Sequence, residues 1–263
     1  MNFTRTEWRS VVATAITLSL SSAALADGIV VDRIYDPYVE AGETEIEWRA
    51  TRLRDSDDET PNLEELGGEE FGEEELEEEP LDGLHRHRLG MGYGFSERWF
   101  GEVYLIGEGS HEESLNLKAV ELEAKWQITE QGEYSADWGM LFELERETEV
   151  DMWETAVTLI SSREWGRWTG TANLEAIYEW GEEEDELESE LKLQGRYRWK
   201  PELEPALEFY AGQDTVGLGP VLLGDVKFGQ GRRLRWEFGV IVGVTDESPD
   251  QSFRFLVEYE FFN

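Results

Sequence analysis

The stretch Leu234-Arg235-Trp236-Glu237-Phe238-Gly239-Val240-Ile241-Val242-Gly243-Val244 decides the fold. One face reads Leu234, Trp236, Phe238, Val240, Val242 and Val244, and the other reads Arg235, Glu237, Gly239, Ile241 and Gly243. Period two is the mark of a strand whose faces meet different surroundings, because successive side chains leave a pleated backbone on opposite sides. A helix would space its apolar residues three and four apart. The rhythm recurs where Val120, Leu122, Ala124, Trp126 and Ile128 alternate with Glu121, Glu123, Lys125 and Gln127. It recurs again over Leu187 to Trp199, with Glu188, Glu190, Lys192, Gln194, Arg196 and Arg198 on the polar side.

Working outward, the same test predicts about twelve strands, each roughly ten residues long, the length a tilted strand needs to cross a bilayer. They lie near 43–54, 84–95, 99–108, 117–128, 136–147, 152–162, 168–180, 186–199, 203–212, 219–228, 232–245 and 252–262. An even count returns both ends to one side, as a closed up-and-down antiparallel barrel requires. The connections alternate in character. One set is tight, such as Ser96-Glu97-Arg98, Lys200-Pro201-Glu202 and Gly229-Gln230-Gly231; the other is acidic, such as Asp55 to Gly83, Thr148 to Asp151 and Thr245 to Gln251. Transmembrane barrels keep short turns in the periplasm, so the acidic set is expected outside the cell. Residues 55–83, dense in glutamate, repel themselves and are expected to be a disordered external loop.

The start of the chain is a targeting segment. Arg5 and Arg9 precede a short apolar run from Val11 to Leu20, and Ala24-Leu25-Ala26 has the form of a signal-peptidase site. Residues 1–26 are therefore expected to be a signal peptide cut after Ala24 and Ala26, residues 27–42 a periplasmic N-terminal segment, and residues 43–263 the barrel. Cysteine is absent, which excludes disulfides, thiolate metal sites and a cysteine nucleophile. The formal charge of −37 excludes a nucleic-acid partner, since phosphate recognition needs clustered Lys and Arg. Acidity alone would suit a disordered chain, but aromatics make up 12% of the residues and Trp occurs 11 times, so a folded framework lies beneath it.

Alternation also fits a soluble sandwich, with one face of each sheet buried. The aromatics separate the two. Trp99, Trp126, Trp138, Trp168, Trp199 and Trp236 fall beside the tight turns, and Trp153 and Trp180 fall at the opposite strand ends. Two aromatic girdles around an aliphatic belt place indole rings at headgroup level, where one edge is wet and the other apolar. At the C-terminus, Phe253, Phe255, Val257, Tyr259 and Phe261 alternate toward the end, with Phe262 and Asn263 after them. This stretch resembles the terminal-strand signal of proteobacterial outer-membrane barrels. With the signal peptide and strand rhythm, the resemblance is to the porin-like outer-membrane β-barrel class. It implies a bacterial outer-membrane location, contact with membrane lipid and lipopolysaccharide, and recognition by the outer-membrane insertion machinery.

The candidate functional surface is the inward face. On the central strands it carries Glu121, Glu123, Lys125, Glu143 and Glu145; on the eighth, Glu188, Glu190, Lys192, Arg196 and Arg198. Arg235, Glu237, Arg254, Glu258 and Glu260 complete it, with Glu45, Glu47 and Arg49 on the first strand. Rings of acids favour cations, so a narrow, acid-rich porin-like channel for small solutes or cations is the expected function. An ion-pair network that packs the interior of a closed structural or adhesin-like barrel is the alternative, and a soluble exported β protein is the second. Divalent cations are candidate partners of the acidic loops, which lack EF-hand spacing. His85 and His87 share the parity of Leu89 and Met91, which puts them outside near the headgroups, and His111 sits in an acidic loop. No catalytic set, resident metal or cofactor is expected: there are three histidines, and none stands at an evident inward position beside a serine.

Overall fold

The computed structural model describes residues 29–55, 81–111, 113–181, 185–213 and 215–262. The expected signal peptide with Ala24 and Ala26, and most of the 55–83 loop, lie outside these residues. Twelve strands follow in chain order: β1 (Glu43–Arg54), β2 (His85–Gly94), β3 (Trp99–Gly109), β4 (Asn116–Gln127), β5 (Asp137–Glu147) and β6 (Met152–Trp165). Then come β7 (Trp168–Gly181), β8 (Glu186–Tyr197), β9 (Glu204–Ala211), β10 (Val216–Gly229), β11 (Arg232–Gly243) and β12 (Gln251–Phe262). Each pairs antiparallel with its neighbour in sequence, and β12 returns to pair with β1, Glu45 opposite Glu260. The ladder is a closed twelve-stranded barrel with no free edge.

Two strands run further than the alternation indicates. β6 continues through polar Ser161 to Glu164 and closes on a two-residue Gly166-Arg167 turn, with Trp165 opposite Trp168. Gly166 there has φ 63°, a left-handed value that glycine adopts without steric cost. β10 begins at Val216 and runs through Gly217, Gly219 and Pro220, residues that read as a turn in isolation. Gly219 is needed because β11 passes so close that a Cβ would meet the Val240 carbonyl oxygen at 1.9 Å. Closure overrides local propensity at both places.

Burial follows strand parity. Along β1, Glu43, Glu45, Glu47, Arg49, Thr51 and Leu53 are buried while Ile46, Trp48, Arg52 and Arg54 are exposed. Leu89, Met91, Val103, Leu105, Leu122, Leu174 and Leu207 all stand exposed on the outer surface. An apolar belt of this extent suits lipid and not water. The soluble alternative is thereby overturned, since these side chains are not sealed between two sheets. Trp99 stacks on Trp126 at 5.7 Å and Trp168 lies 5.0 Å from Tyr197 at the tight-turn end, and Trp153 stacks on Trp180 at 6.3 Å at the acidic-loop end. Trp138 and Trp236 share the outward parity of their strands, and Trp199 sits exposed just past β8. His87 lies flat against Trp48 at 5.9 Å on the outer face, as the parity of β2 requires.

Candidate functional site in the barrel lumen

The lumen is not left to its wall. Residues 29–41 run through it as an extended segment before the chain turns at Ala41-Gly42 into β1. The sequence marks this stretch as a periplasmic N-terminal segment, and its described residues make their contacts with the inner face of the strands. Thr51 Oγ1 on β1 donates to the Val31 carbonyl at 3.0 Å, and the Tyr210 hydroxyl on β9 donates to the Asp32 carbonyl at 2.7 Å. Asn173 on β7 grips Tyr35 twice, accepting from its N–H at 2.8 Å and donating to its carbonyl at 2.9 Å. The Tyr35 hydroxyl donates to Glu123 on β4 at 2.8 Å, and the Tyr38 hydroxyl donates to Asp137 on β5 at 2.9 Å. Partners on strands all around the wall place the segment inside.

Its apolar residues have a surface to bury against. Val30, Val31 and Ile34 pack with Tyr210, Val221, Leu223 and Ile241, and Tyr35 packs with Leu141 and Ile160. These leucines and isoleucines share the inward parity of the charged residues, and they explain why the segment lies in the lumen. At the tight-turn end, glycines make room for it: a Cβ at Gly94 would meet the Glu40 carbonyl oxygen at 2.1 Å, and one at Gly139 would meet Pro37 at 2.9 Å.

Charge fixes the rest. The Arg33 guanidinium pairs with Glu47, with Glu45 at 3.4 Å and with Glu258 at 2.7 Å. Asp32 lies 3.0 Å from Arg49 and 3.6 Å from Arg88, and Asp36 lies 3.9 Å from Arg235. A buried ion pair gains little net energy over an apolar pair, but removing one partner leaves an uncompensated charge and is costly. The network therefore fixes where the segment sits more than it adds to stability.

The sequence-predicted wall residues fall as follows. Glu121 accepts from Arg88 at 2.9 Å, Glu123 accepts from Arg49 at 3.2 Å, and Lys125 lies over the Phe100 ring at 5.5 Å. Glu145 is buried opposite Glu121, and Glu143 stands opposite Glu123. Lys192 sits between Glu175 and Glu190, 2.8 Å from each. Glu188 shares their inward face. Arg196 pairs with Glu204 at 3.4 Å, and Arg235 with Glu258 at 3.3 Å. Arg254 is held by Glu208 at 2.6 Å and Glu237 at 2.7 Å, and Glu260 pairs with Arg233. Arg198 is the exception: it lies past the end of β8 and ties Glu164 at 2.8 Å and the Gly166 carbonyl at 2.7 Å across the neighbouring turn. The wall residues missed were Glu154, Asn173, Glu179, Glu186 and Tyr210, and the rest missed were those of the segment, Asp32, Arg33, Tyr35 and Asp36. The segment's signal was a Val-Val-Asp-Arg-Ile-Tyr stretch (Val30 to Tyr35) too apolar for a solvated leader.

Register sets one side of the wall apart. Glu121 on β4 faces Glu145 on β5, which faces Glu154 on β6, then Glu179 on β7, then Glu186 on β8. Like charges directly opposite on adjacent strands are destabilising, and here four such pairs follow one another. Most of this row borders a cavity with about 60 Å³ of water-sized space between the segment and strands β4 to β8. A second cavity, with about 20 Å³ of water-sized space, lies between the segment and the β7 to β11 wall, lined by Arg196, Asp225 and Arg235. Arg33 borders both.

No known protein-family model matches the chain, and no curated protein sequence matches it. Its fold is similar to that of an outer membrane channel from Pseudomonas putida F1, with TM-score 0.55 and 13% identity over 89% of this chain and 100% of that one. It is also similar to the KdgM porin in complex with disordered oligogalacturonate, with TM-score 0.50 and 10% identity over 83% of this chain and 99% of that one. A third likeness is to the β domain of the Bordetella autotransporter BrkA, with TM-score 0.50 and 13% identity over 84% and 99% of the two chains. At such identities the likeness is one of fold. Joined to the closed ladder and the apolar exterior, it makes the chain an outer-membrane β-barrel of porin-like architecture.

Proposed function

We propose that the protein is a passive, non-enzymatic outer-membrane channel in which small cations pass beside the N-terminal segment along the acidic β4–β8 wall. The row Glu121, Glu145, Glu154, Glu179 and Glu186 carries this reading. Carboxylates set opposite one another cost stability, and a passing cation offsets that cost. Two small cavities beside the segment, one toward the acidic loops and one toward the tight turns, mark where such a path would run.

The test is conductance of the purified protein in a planar bilayer. Discrete openings with a cation-favouring reversal potential are expected, and Glu154→Gln with Glu179→Gln should weaken that preference. Neutralising Glu121 or Glu123 would also disturb Arg88, Arg49 and Tyr35, which their carboxylates hold in place. The closed-barrel reading has its own support in the caged Arg33 and the Asn173 grip on Tyr35. Silent bilayers from folded protein would decide for it.

A further inference from the structure

Two buried carboxylate triads stand inside the barrel. Glu45, Glu47 and Glu258 each bring one oxygen to within 4.8 Å of the others, and Glu121, Glu123 and Glu143 do the same. Three carboxylates at such spacing cannot all remain charged unless a cation compensates them. In the first triad the chain supplies that cation itself, the guanidinium of Arg33 reaching all three.

The second triad is answered only in part. Arg88 Nη1 lies 3.0 and 2.9 Å from the two oxygens of Glu121. Arg49 Nη2 and the Tyr35 hydroxyl both bind Oε1 of Glu123. Oε2 of Glu123 is buried with no hydrogen-bond partner among the described residues, and the residue is only 5% exposed. Thr158 reaches Glu143 across a long 3.5 Å. Register adds more negative charge, since Glu123 also faces Glu102 on β3 and Glu121 faces Glu145 on β5.

We infer that Glu121, Glu123 and Glu143 form an internal site for a hard divalent cation, with Ca²⁺ preferred to Mg²⁺. The donors are all carboxylate oxygens, and the nearby His85 and His87 face the other side of the wall, so a softer transition metal lacks its ligands. Ca²⁺ accepts irregular oxygen shells at about 2.3–2.6 Å, whereas Mg²⁺ demands near-octahedral geometry at about 2.0–2.1 Å and gives up water reluctantly. An ion here would join β4 and β5 and, through Glu123 and Tyr35, tie both to the lumen segment. The site requires no ion flow, so a silent barrel would bind the ion as well as a conducting one.

The experiment uses the full-length mature chain folded in detergent, stripped with a chelator, with Tb³⁺ as the probe. Tyr35 lies 2.8 Å from a proposed ligand residue and would sensitise Tb³⁺ luminescence. A Tb³⁺ signal is expected that Ca²⁺ displaces more readily than Mg²⁺. Glu143→Gln or Glu123→Gln should each cost about tenfold or more in affinity, and Tyr35→Phe should lower the signal per bound ion. Ca²⁺ should raise the melting temperature of the unaltered protein and not that of Glu143→Gln. Should one glutamine variant fail to give the faster-running unboiled band of a folded barrel, the other is read in its place. Tb³⁺ binding that survives Glu143→Gln or Glu123→Gln unchanged assigns the ion to the acidic loops and overturns the inference. So does a chain whose melting Ca²⁺ leaves unmoved.

Discussion

Arg33 shows most sharply how one side chain settles the interior. It is 6% exposed and meets three glutamates from β1 and β12, so its removal takes a cation from all three at once and leaves Arg49 to hold Glu47 and Arg235 to hold Glu258. Arg33→Met keeps an unbranched apolar stem and deletes the charge. The expected cost is about 3–5 kcal/mol, the range for breaking a buried pair by removing one partner, read as a lower denaturation midpoint. Adding Glu47→Gln should recover part of it, and a single variant that melts like the parent would falsify the cage. Asn173 is a second residue of this kind, because it satisfies both peptide groups of Tyr35. Asn173→Leu leaves a buried donor and acceptor unmet, at about 1–3 kcal/mol each. The measurable result is faster proteolysis near Tyr35 with the barrel intact; equal resistance would show that the grip is dispensable. Parity alone showed that Glu45, Glu47 and Glu258 face inward. It could not show what they face, because their partner lies on a stretch with no strand rhythm.

The strands were legible for a plain physical reason. Each has one face against lipid and one against the lumen, so the alternation is strong wherever both environments persist, and the expected boundaries agree with the observed ones to within three residues. It fails where the rule is suspended, at the polar end of β6 and the Gly-Pro start of β10. The lumen segment was illegible because its surroundings change from residue to residue: aliphatic at Val31, basic at Asp32, acidic at Arg33. No periodic pattern records that. None of the twelve strand pairs that close the barrel includes the segment. A chain lacking residues 29–41 should therefore still run as a folded barrel on an unboiled gel, and its unit conductance should rise several-fold. Unchanged conductance in a folded deletion would show that the segment does not limit passage. Gly94→Val tests the same point without a deletion, because the added side chain occupies the place of the Glu40 carbonyl where the segment leaves the lumen.

At the scale of the molecule, charge and position act together. The chain carries −37, and its acid is divided between loops at one end and the β4–β8 wall inside. Both would favour cations, and ionic strength tells them apart. Screening acts over about 10 Å at 0.1 M salt and about 3 Å at 1 M. Loop carboxylates such as Glu149, Asp151, Asp246 and Glu247 are exposed to solvent and lose their reach at the higher value. Glu121 and Glu145 are 2% and 8% exposed, so bulk ions screen them far less. If the wall selects, the cation-favouring reversal potential should persist at 1 M salt in the parent and weaken there in the Glu154→Gln, Glu179→Gln variant. If the loops select, the preference should fade at 1 M in both proteins, and the same pair of substitutions should change little at 0.1 M. A preference that behaves in this second way would move the selective element out of the lumen and leave the acidic wall with a packing or ion-holding role.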